Sequence, residues 1–166
     1  MEGTDKVAAI IIEPVVGTNG ILVPPPGYLE GVRALCDEFG IVWIADEVMA
    51  GFGRTGEWFA WQHWGAQPDL ICFAKGVNSG YVPLGGVILS DAIHETFAER
   101  PYPGGLTYSG HPLACASAVA SINIFKEEGI IENAARLGRD VLGPGLNEIA
   151  LRHPCVGEIR GIGVFW

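Results

Sequence analysis

The sequence has little basic charge and no long apolar run. Ten Lys and Arg residues stand against 19 Asp and Glu, the net charge is −9, and the basic residues form no cluster. Nucleic acids and anionic membranes are therefore poor partners, because both attract concentrated positive charge. No apolar run approaches the roughly 18 residues that a membrane helix needs. The first residues also lack the apolar stretch that follows the basic start of a signal peptide.

The four cysteines are far apart, and none belongs to a CxxC motif. They stand in apolar surroundings, which is typical of reduced core cysteines in an intracellular protein. The four histidines show no metal-ligand spacing with the cysteines or with one another. The sequence therefore predicts a cytoplasmic protein without a metal site.

Hydrophobic residues make up 49% of the sequence and charged residues only 17%. This balance is typical of a packed globular chain. It is also more apolar than a self-contained domain of 166 residues needs. The excess indicates that a partner chain, or a further part of the same chain, covers some of the surface.

Apolar and β-branched runs predict buried strands at residues 7–12, 41–45 and 70–74, and helical spacing predicts a helix at 28–39. The first strand, the helix and the second strand form a βαβ unit, so these strands should be parallel. A strand at 84–89 follows too short a connection for a crossover helix and should be antiparallel. Further helices are expected at 91–98, 111–125 and 132–151, the last of them open to an interruption at Gly143-Pro144-Gly145, and a last strand at 156–166. The predicted fold class is α/β, a mostly parallel sheet with flanking helices.

Three predicted strands end in an ionisable residue, namely Glu13, Asp46 and Lys75. Ligands of open α/β sheets bind beyond the carboxyl ends of parallel strands. If the three strands are parallel neighbours, their terminal side chains share one edge of the sheet.

Lys75 is one of only three lysines, and it directly follows an apolar strand. A lysine held away from water loses part of its preference for the charged form, and its neutral amine can attack a carbonyl to form an imine. The simpler interpretation is a lysine that emerges at the strand end into water. The sequence alone leaves both interpretations open.

Asp46 ends another buried run. Its carboxylate either caps the segment that follows or places a fixed negative charge opposite a protonated ring nitrogen. A lysine amine and an aspartate at one edge are the two protein groups that pyridoxal phosphate requires.

Two glycine-containing motifs have weaker implications. Residues 51–56 read GFGRTG and match GxGxxG, but the acids Asp46 and Glu47 precede the glycines, and Lys75 ends the next strand where a dinucleotide fold needs an acid. No P-loop motif is present. Thr107 begins the run TYSG, which precedes a helix and either binds a phosphate or forms an ordinary turn and cap.

Together the motifs resemble the class III aminotransferases, a branch of the fold-type I enzymes that depend on pyridoxal 5′-phosphate. The matching stretches occur in the family order with similar spacing and cover nearly the whole chain: EPVVG (13–17), IADEV (44–48), GFGRTG (51–56), PD (68–69), FAKG (73–76) and TYSGHP (107–112).

The resemblance implies a role for each matching residue. Lys75 would form the Schiff base with the cofactor, Asp46 would pair with the pyridine nitrogen, and Val48 would pack on one face of the ring. Thr107 would bind the cofactor phosphate of the partner subunit in a homodimer. Glu13 would lie near the substrate.

The implied activity is transamination from an amine or ω-amino acid to a keto acid such as pyruvate or 2-oxoglutarate. Met49 stands where ornithine and 4-aminobutyrate enzymes usually have glutamine, which favours the ω-amino acid:pyruvate branch. The alternatives are another reaction on this fold, such as that of a decarboxylase or a glutamate-1-semialdehyde aminomutase, or an inert fragment.

Family subunits are longer at both ends, so the chain resembles a central and C-terminal fragment. Residues 1–128 would be part of the cofactor-binding large domain, and residues 129–166 would begin a small C-terminal α+β domain. We expect the isolated chain not to turn over.

Overall fold

The computed structural model describes residues 3–166. The strands are β1 (Ala9–Ile12), β2 (Val42–Asp46), β3 (Leu70–Phe73) and β4 (Gly86–Leu89). The α-helices are α1 (Tyr28–Phe39), α2 (Asp91–Thr96), α3 (Pro112–Glu127), α4 (Ile130–Leu137) and α5 (Gly143–Arg152). Short 3₁₀ turns occupy Thr4–Lys6, Ala60–His63 and Lys75–Asn78, and a π-helical turn occupies Gly138–Leu142.

The four strands form one sheet in the order β1-β2-β3-β4. The first three strands are parallel, and β4 runs antiparallel to β3. Both directions agree with the prediction, because the long connection through α1 returns the chain to the same edge while the short connection after β3 cannot. The carboxyl ends of β1, β2 and β3 therefore lie at one edge, which we call the carboxyl edge.

Helix α1 covers one face of the sheet. Its residues Leu29 and Cys36 are buried against Trp43 of β2, with Ile10 of β1 packed beside them. The helix ends at Gly40, which has φ +65° and donates its N–H to the carbonyl of Cys36. A residue with a β-carbon is strained at this angle, so the glycine gives the helix the end point that the sequence predicted.

A second buried cluster forms around Phe52. Its ring packs edge-on against Phe59 and Phe73, with ring centroids 5.4 and 5.7 Å away. Ala118 and Phe125 of α3 belong to the same cluster. Aromatic side chains bury large areas, so this cluster fixes α3 against the loop that follows β2.

The predicted last strand is wrong. Residues 156–166 contain only an isolated bridge between Ile162 and Phe165. Gly163 adopts φ +60° and lies against the backbone of Thr55 and Gly56, so this segment turns where a strand would continue. The helix predicted at 132–151 is divided into α4 and α5 by the π-helical turn.

Burial differs from the expectation in two places. Strand β1 was predicted to be buried on both faces, yet Ile11 is 61% exposed because it points away from the face that α1 covers. Cys115 and Cys155 are exposed, although the sequence indicated core positions; all four cysteines are unpaired. Within residues 3–166, no helix is both long and apolar enough to cross a bilayer.

Asp69 ties α1 to the sheet. Its Oδ2 accepts hydrogen bonds from Nη1 of Arg33 at 2.9 Å and from the backbone N–H of Trp43 at 2.8 Å. The Arg33 and Asp69 side chains are only 20% and 29% exposed. Asp69→Asn should therefore lower the free energy of unfolding by about 1–3 kcal/mol in chemical denaturation, since it removes a charge-assisted, half-buried contact.

The control for this prediction is Glu148→Gln, which removes an ion pair with Arg152 whose side chains are 68% and 60% exposed. It should change the same free energy by less than about 0.5 kcal/mol. Equal effects of the two variants would contradict the structural role of Asp69.

Candidate active site at the carboxyl edge

Asp46 is the last residue of β2 and is half-buried at the carboxyl edge. Its Oδ1 accepts the backbone N–H of Val48 at 3.1 Å. No donor within residues 3–166 contacts Oδ2, so this oxygen can accept a hydrogen bond from a ligand. Burial raises the pKa of the Cys72 thiol, and the negative charge of Asp46 raises it further. Asp46 and Cys72 are register partners on the neighbouring strands β2 and β3, which places the two residues side by side.

Lys75 lies beyond the end of β3, at the same edge as Asp46. Asp46 is the register partner of Cys72, and Lys75 follows Cys72 by three residues. Lys75 has φ +42°, which is unusual for a residue with a side chain and occurs where the surrounding structure imposes it. The next residue, Gly76, has space for no β-carbon, because one would lie 2.7 Å from Cβ of Phe52.

Of the two interpretations that the sequence leaves open for Lys75, the structure shows the lysine that emerges at the strand end into water. The side chain is exposed, because the chain leaves the sheet after Phe73 and begins a 3₁₀ turn at Lys75. In the described part of the chain, no carboxylate forms an ion pair with its amine.

Arg54 shares a cavity of about 500 Å³ with Lys75. Its Nη1 donates to the carbonyl of Met49 at 2.9 Å, and burial lowers the pKa of the guanidinium. The sequence shows Arg54 only as part of the glycine motif at residues 51–56 and assigns it no role in the site. The available signal was a cation in an otherwise apolar and glycine-rich segment.

Glu13 follows β1 and is half-buried at the carboxyl edge. Its Oε2 accepts the backbone N–H of Gly17 at 2.9 Å. A β-carbon at Gly17 would lie 2.9 Å from Cβ of Met49 and 3.4 Å from Oε2 of Glu13. Glu13 and Met49 therefore approach the same glycine from two neighbouring strand ends.

Thr107 lies in an exposed turn before α3. None of the hydrogen bonds found for residues 3–166 joins it to Asp46, Val48 or Lys75. Its role as a phosphate ligand stays a prediction.

Glu47 is the residue that sequence reasoning missed. Its side chain is 0% exposed, and its carboxylate accepts the N–H groups of Ala60 and Trp61, each at 2.9 Å. Burial raises its pKa to about 7; the two hydrogen bonds lower the pKa, and the charge of Asp46 raises it. The signal was strand alternation, because Trp43, Ala45 and Glu47 fall on the same buried face.

The raised pKa of Glu47 predicts a pH-dependent stability. Its pKa is 4.5 when unperturbed and about 7 when folded, so the folded state binds the proton more tightly. This contribution is fully present below pH 4.5 and is lost as the pH rises through about 7. It amounts to at most about 4 kcal/mol, at about 1.4 kcal/mol per pKa unit.

Glu47→Gln removes this titration. We therefore expect the free energy of unfolding of the variant, relative to wild type, to increase from pH 4.5 to about 7 and then to stay constant. Urea unfolding at several pH values measures the difference. A difference that does not change with pH would show that folding does not shift the pKa of Glu47.

The glycines of residues 51–56 serve packing. Gly53 and Gly56 have φ +87° and +92°, and β-carbons there would lie 2.6 Å from Cδ1 of Ile131 and 3.0 Å from Cα of Ala135. Ile131 and Ala135 both belong to α4, so α4 packs directly against the backbone of this loop. Among the described residues, no group of three or more His, Cys, Asp or Glu side chains could hold a metal ion.

Comparison with known proteins gives the family. The sequence model described as "Aminotransferase class-III" matches residues 1–166. The chain belongs to the class III aminotransferases. The resemblance inferred from the motifs and the predicted fold class are therefore confirmed.

Solved structures of an aminotransferase and of two transaminases superpose closely on the chain. A taurine:2-oxoglutarate aminotransferase from Bifidobacterium kashiwanohense, in complex with PLP and glutamate, is 53% identical with a TM-score of 0.95. A transaminase from the marine bacterium Virgibacillus is 46% identical with a TM-score of 0.93. An (S)-enantioselective ω-transaminase from Thermomicrobium roseum is 50% identical with a TM-score of 0.89.

These matches cover 97–98% of the chain but only 36–37% of the solved proteins. The chain thus spans little more than a third of the length of these relatives.

Proposed function

We propose that the protein catalyses pyridoxal-phosphate-dependent transamination, with Lys75 and Asp46 as its catalytic residues. The observation that carries this proposal is their placement at the ends of two adjacent parallel strands. Membership of the class III aminotransferases supports the reaction type.

The residues at the carboxyl edge fit the cofactor. Oδ2 of Asp46 is available to accept a hydrogen bond from a protonated pyridine nitrogen, and half-buried Val48 offers an apolar contact beside it. The Lys75 amine has no ion-pair partner in residues 3–166 and can reach a carbonyl carbon. When bound, pyridoxal phosphate supplies an electron sink for the carbanion that forms on loss of a proton from the substrate.

Lys75 would serve twice in the reaction. Its Nζ would hold the cofactor as the attacking amine. When it is free, the same Nζ would accept the proton from the carbon that bears the substrate amine, as a general base. The negative charge of Asp46 would favour a protonated ring nitrogen and so stabilise the transition state electrostatically.

The proposed substrates are an amine or ω-amino acid as donor and a keto acid as acceptor. The presence of Met49 favours the ω-amino acid:pyruvate branch, and pyruvate is therefore the first acceptor to test. The 53% identical structure is named for transfer between taurine and 2-oxoglutarate, which makes 2-oxoglutarate the second acceptor to test. Glu13 and Arg54 lie close enough to Met49 and Lys75 to take part in substrate binding.

We further propose a homodimer in which Thr107 of each subunit serves the partner's site. Its support is the exposure of Thr107 and of large apolar side chains beside it, Leu106 and Tyr108. Location in the cytoplasm and the division into domains at residues 128 and 129 stay predictions.

Product analysis of the holoenzyme tests the reaction in the full-length form of the protein, since the isolated chain is not expected to turn over. Incubation with an amine donor and with pyruvate or 2-oxoglutarate should convert the keto acid into its amino acid, and omission of the keto acid should stop turnover after one equivalent. Release of CO₂, or isomerised product without any acceptor, would favour a decarboxylase or an aminomutase on the same fold.

A further inference from the structure

Glu47 carries a buried carboxylate that the proposed chemistry does not use. Its Oε2 accepts the N–H of Ala60 and its Oε1 accepts the N–H of Trp61. These N–H groups belong to the first residues of the 3₁₀ turn Ala60–His63. Through these two hydrogen bonds, Glu47 holds the 3₁₀ turn next to the chain position directly after Asp46.

The backbone of Glu47 is held as well as its side chain. Its N–H donates to the carbonyl of Cys72 at 2.9 Å, and its own carbonyl accepts the N–H of Gly51 at 2.8 Å. Ala60 is packed in a fully buried cluster with Val15 and Ala50. Glu47 thus links β3 to the segment that follows β2, and through Ala60 it is linked to Val15 in the segment that follows β1.

We infer that Glu47 is a positioning residue, whose carboxylate between the Ala60 and Trp61 N–H groups fixes how Asp46 and Val48 meet the cofactor ring. This inference rests on the proposed function. Alternate side chains of a strand point to opposite faces, so anchoring Glu47 in the core turns Asp46 to the other face. Val48 moves with Asp46, because its N–H is held by the Asp46 carboxylate.

Glu47→Gln tests the inference with little change in volume. The amide has one acceptor oxygen, and its NH₂ group would face one of the two N–H donors, so the turn must shift. We expect the dissociation constant of the holoenzyme for pyridoxal phosphate to rise at least about 10-fold, the equivalent of one lost contact. Tryptophan fluorescence quenching and visible absorbance both measure this constant.

The matched control is Asp69→Asn, which weakens the packing of α1 on the same sheet. The Asp69 carboxylate binds Arg33 of α1 and the Trp43 N–H, and neither contact is at the carboxyl edge. The substitution should change the dissociation constant by less than about twofold even where it lowers the unfolding midpoint, because it leaves the carboxyl edge intact. A dissociation constant of the Glu47→Gln protein within twofold of wild type would overturn the inference.

A double-mutant cycle distinguishes positioning from general stability. If Glu47 acts through Asp46, Glu47→Gln should lower kcat about 10-fold in the wild-type background and less than about twofold in the D46N background. Equal losses in both backgrounds would refute positioning through Asp46.

The outcomes separate the two proposals. If wild type fails to bind pyridoxal phosphate, the proposed function fails and the inference fails with it. If wild type binds the cofactor and Glu47→Gln binds it equally well, only the positioning role is refuted.

Discussion

Lys75→Ala is expected to abolish the visible absorbance of the lysine-bound cofactor and to lower kcat by roughly 10²- to 10⁴-fold or more. The reason is that the amine is both the covalent attachment point and the proposed base. A methyl group at this position can neither hold the cofactor nor accept a proton. Absorbance of the holoenzyme after addition of pyridoxal phosphate, followed by steady-state turnover, measures both effects.

Lys6→Ala is the matched control, because Lys6 is exposed and pairs only with the neighbouring Asp5 within the described residues. It should leave the absorbance and kcat unchanged. Survival of the absorbance band in the Lys75→Ala protein would mean that another amine holds the cofactor, and the assignment of Lys75 would be wrong.

Asp46→Asn should retain the cofactor and lose most of the rate. The amide fills the same space and can still accept the Val48 N–H, so the local turn is preserved. It lacks the negative charge that keeps the ring nitrogen protonated, so kcat should fall roughly 10²- to 10³-fold. Turnover measured at saturating pyridoxal phosphate separates this effect from weaker cofactor binding.

Asp91→Asn serves as the control for Asp46. Asp91 is the first residue of α2, two positions after the end of β4. Because β4 runs antiparallel to β3, Asp91 lies at the opposite edge of the sheet. Its kcat should match that of wild type. Near-normal turnover of the Asp46→Asn protein would remove the role given to this carboxylate.

The strand ends could be predicted because two independent constraints agree. Buried β-branched runs determine where strands lie, and connection length determines their direction. Asp46 and Lys75 end such runs, so their common edge follows on the condition that β2 and β3 are parallel neighbours, which the structure shows. The parallel pairing of β1, β2 and β3 is the feature on which this deduction depended.

What remained unpredictable depends on contacts distant in sequence. Lys75 follows an apolar run, yet it is exposed because the backbone turns there, and a left-handed φ on a lysine has no sequence signal. The last segment has strand-like composition but turns at Gly163, where the backbone of Thr55 lies against it.

The sequence indicates that Glu47 is buried, but it does not indicate which groups bind its carboxylate. Alternation from Trp43 and Ala45 places Glu47 on the buried face. An acid there is costly unless donors meet it, and those donors come from a turn 13 and 14 residues later. No local pattern identifies Ala60 and Trp61 as those donors.

The outer strands of the sheet have a practical consequence. Within residues 3–166, β1 and β4 each pair on one side only, and exposed Ile11 and Val87 lie on these strands. A strand with open hydrogen-bonding groups and apolar side chains is a template for another chain. When these residues are expressed by themselves, aggregation through the two outer strands is therefore the first problem to expect. Refolding at low protein concentration with a solubilising fusion is the appropriate starting condition.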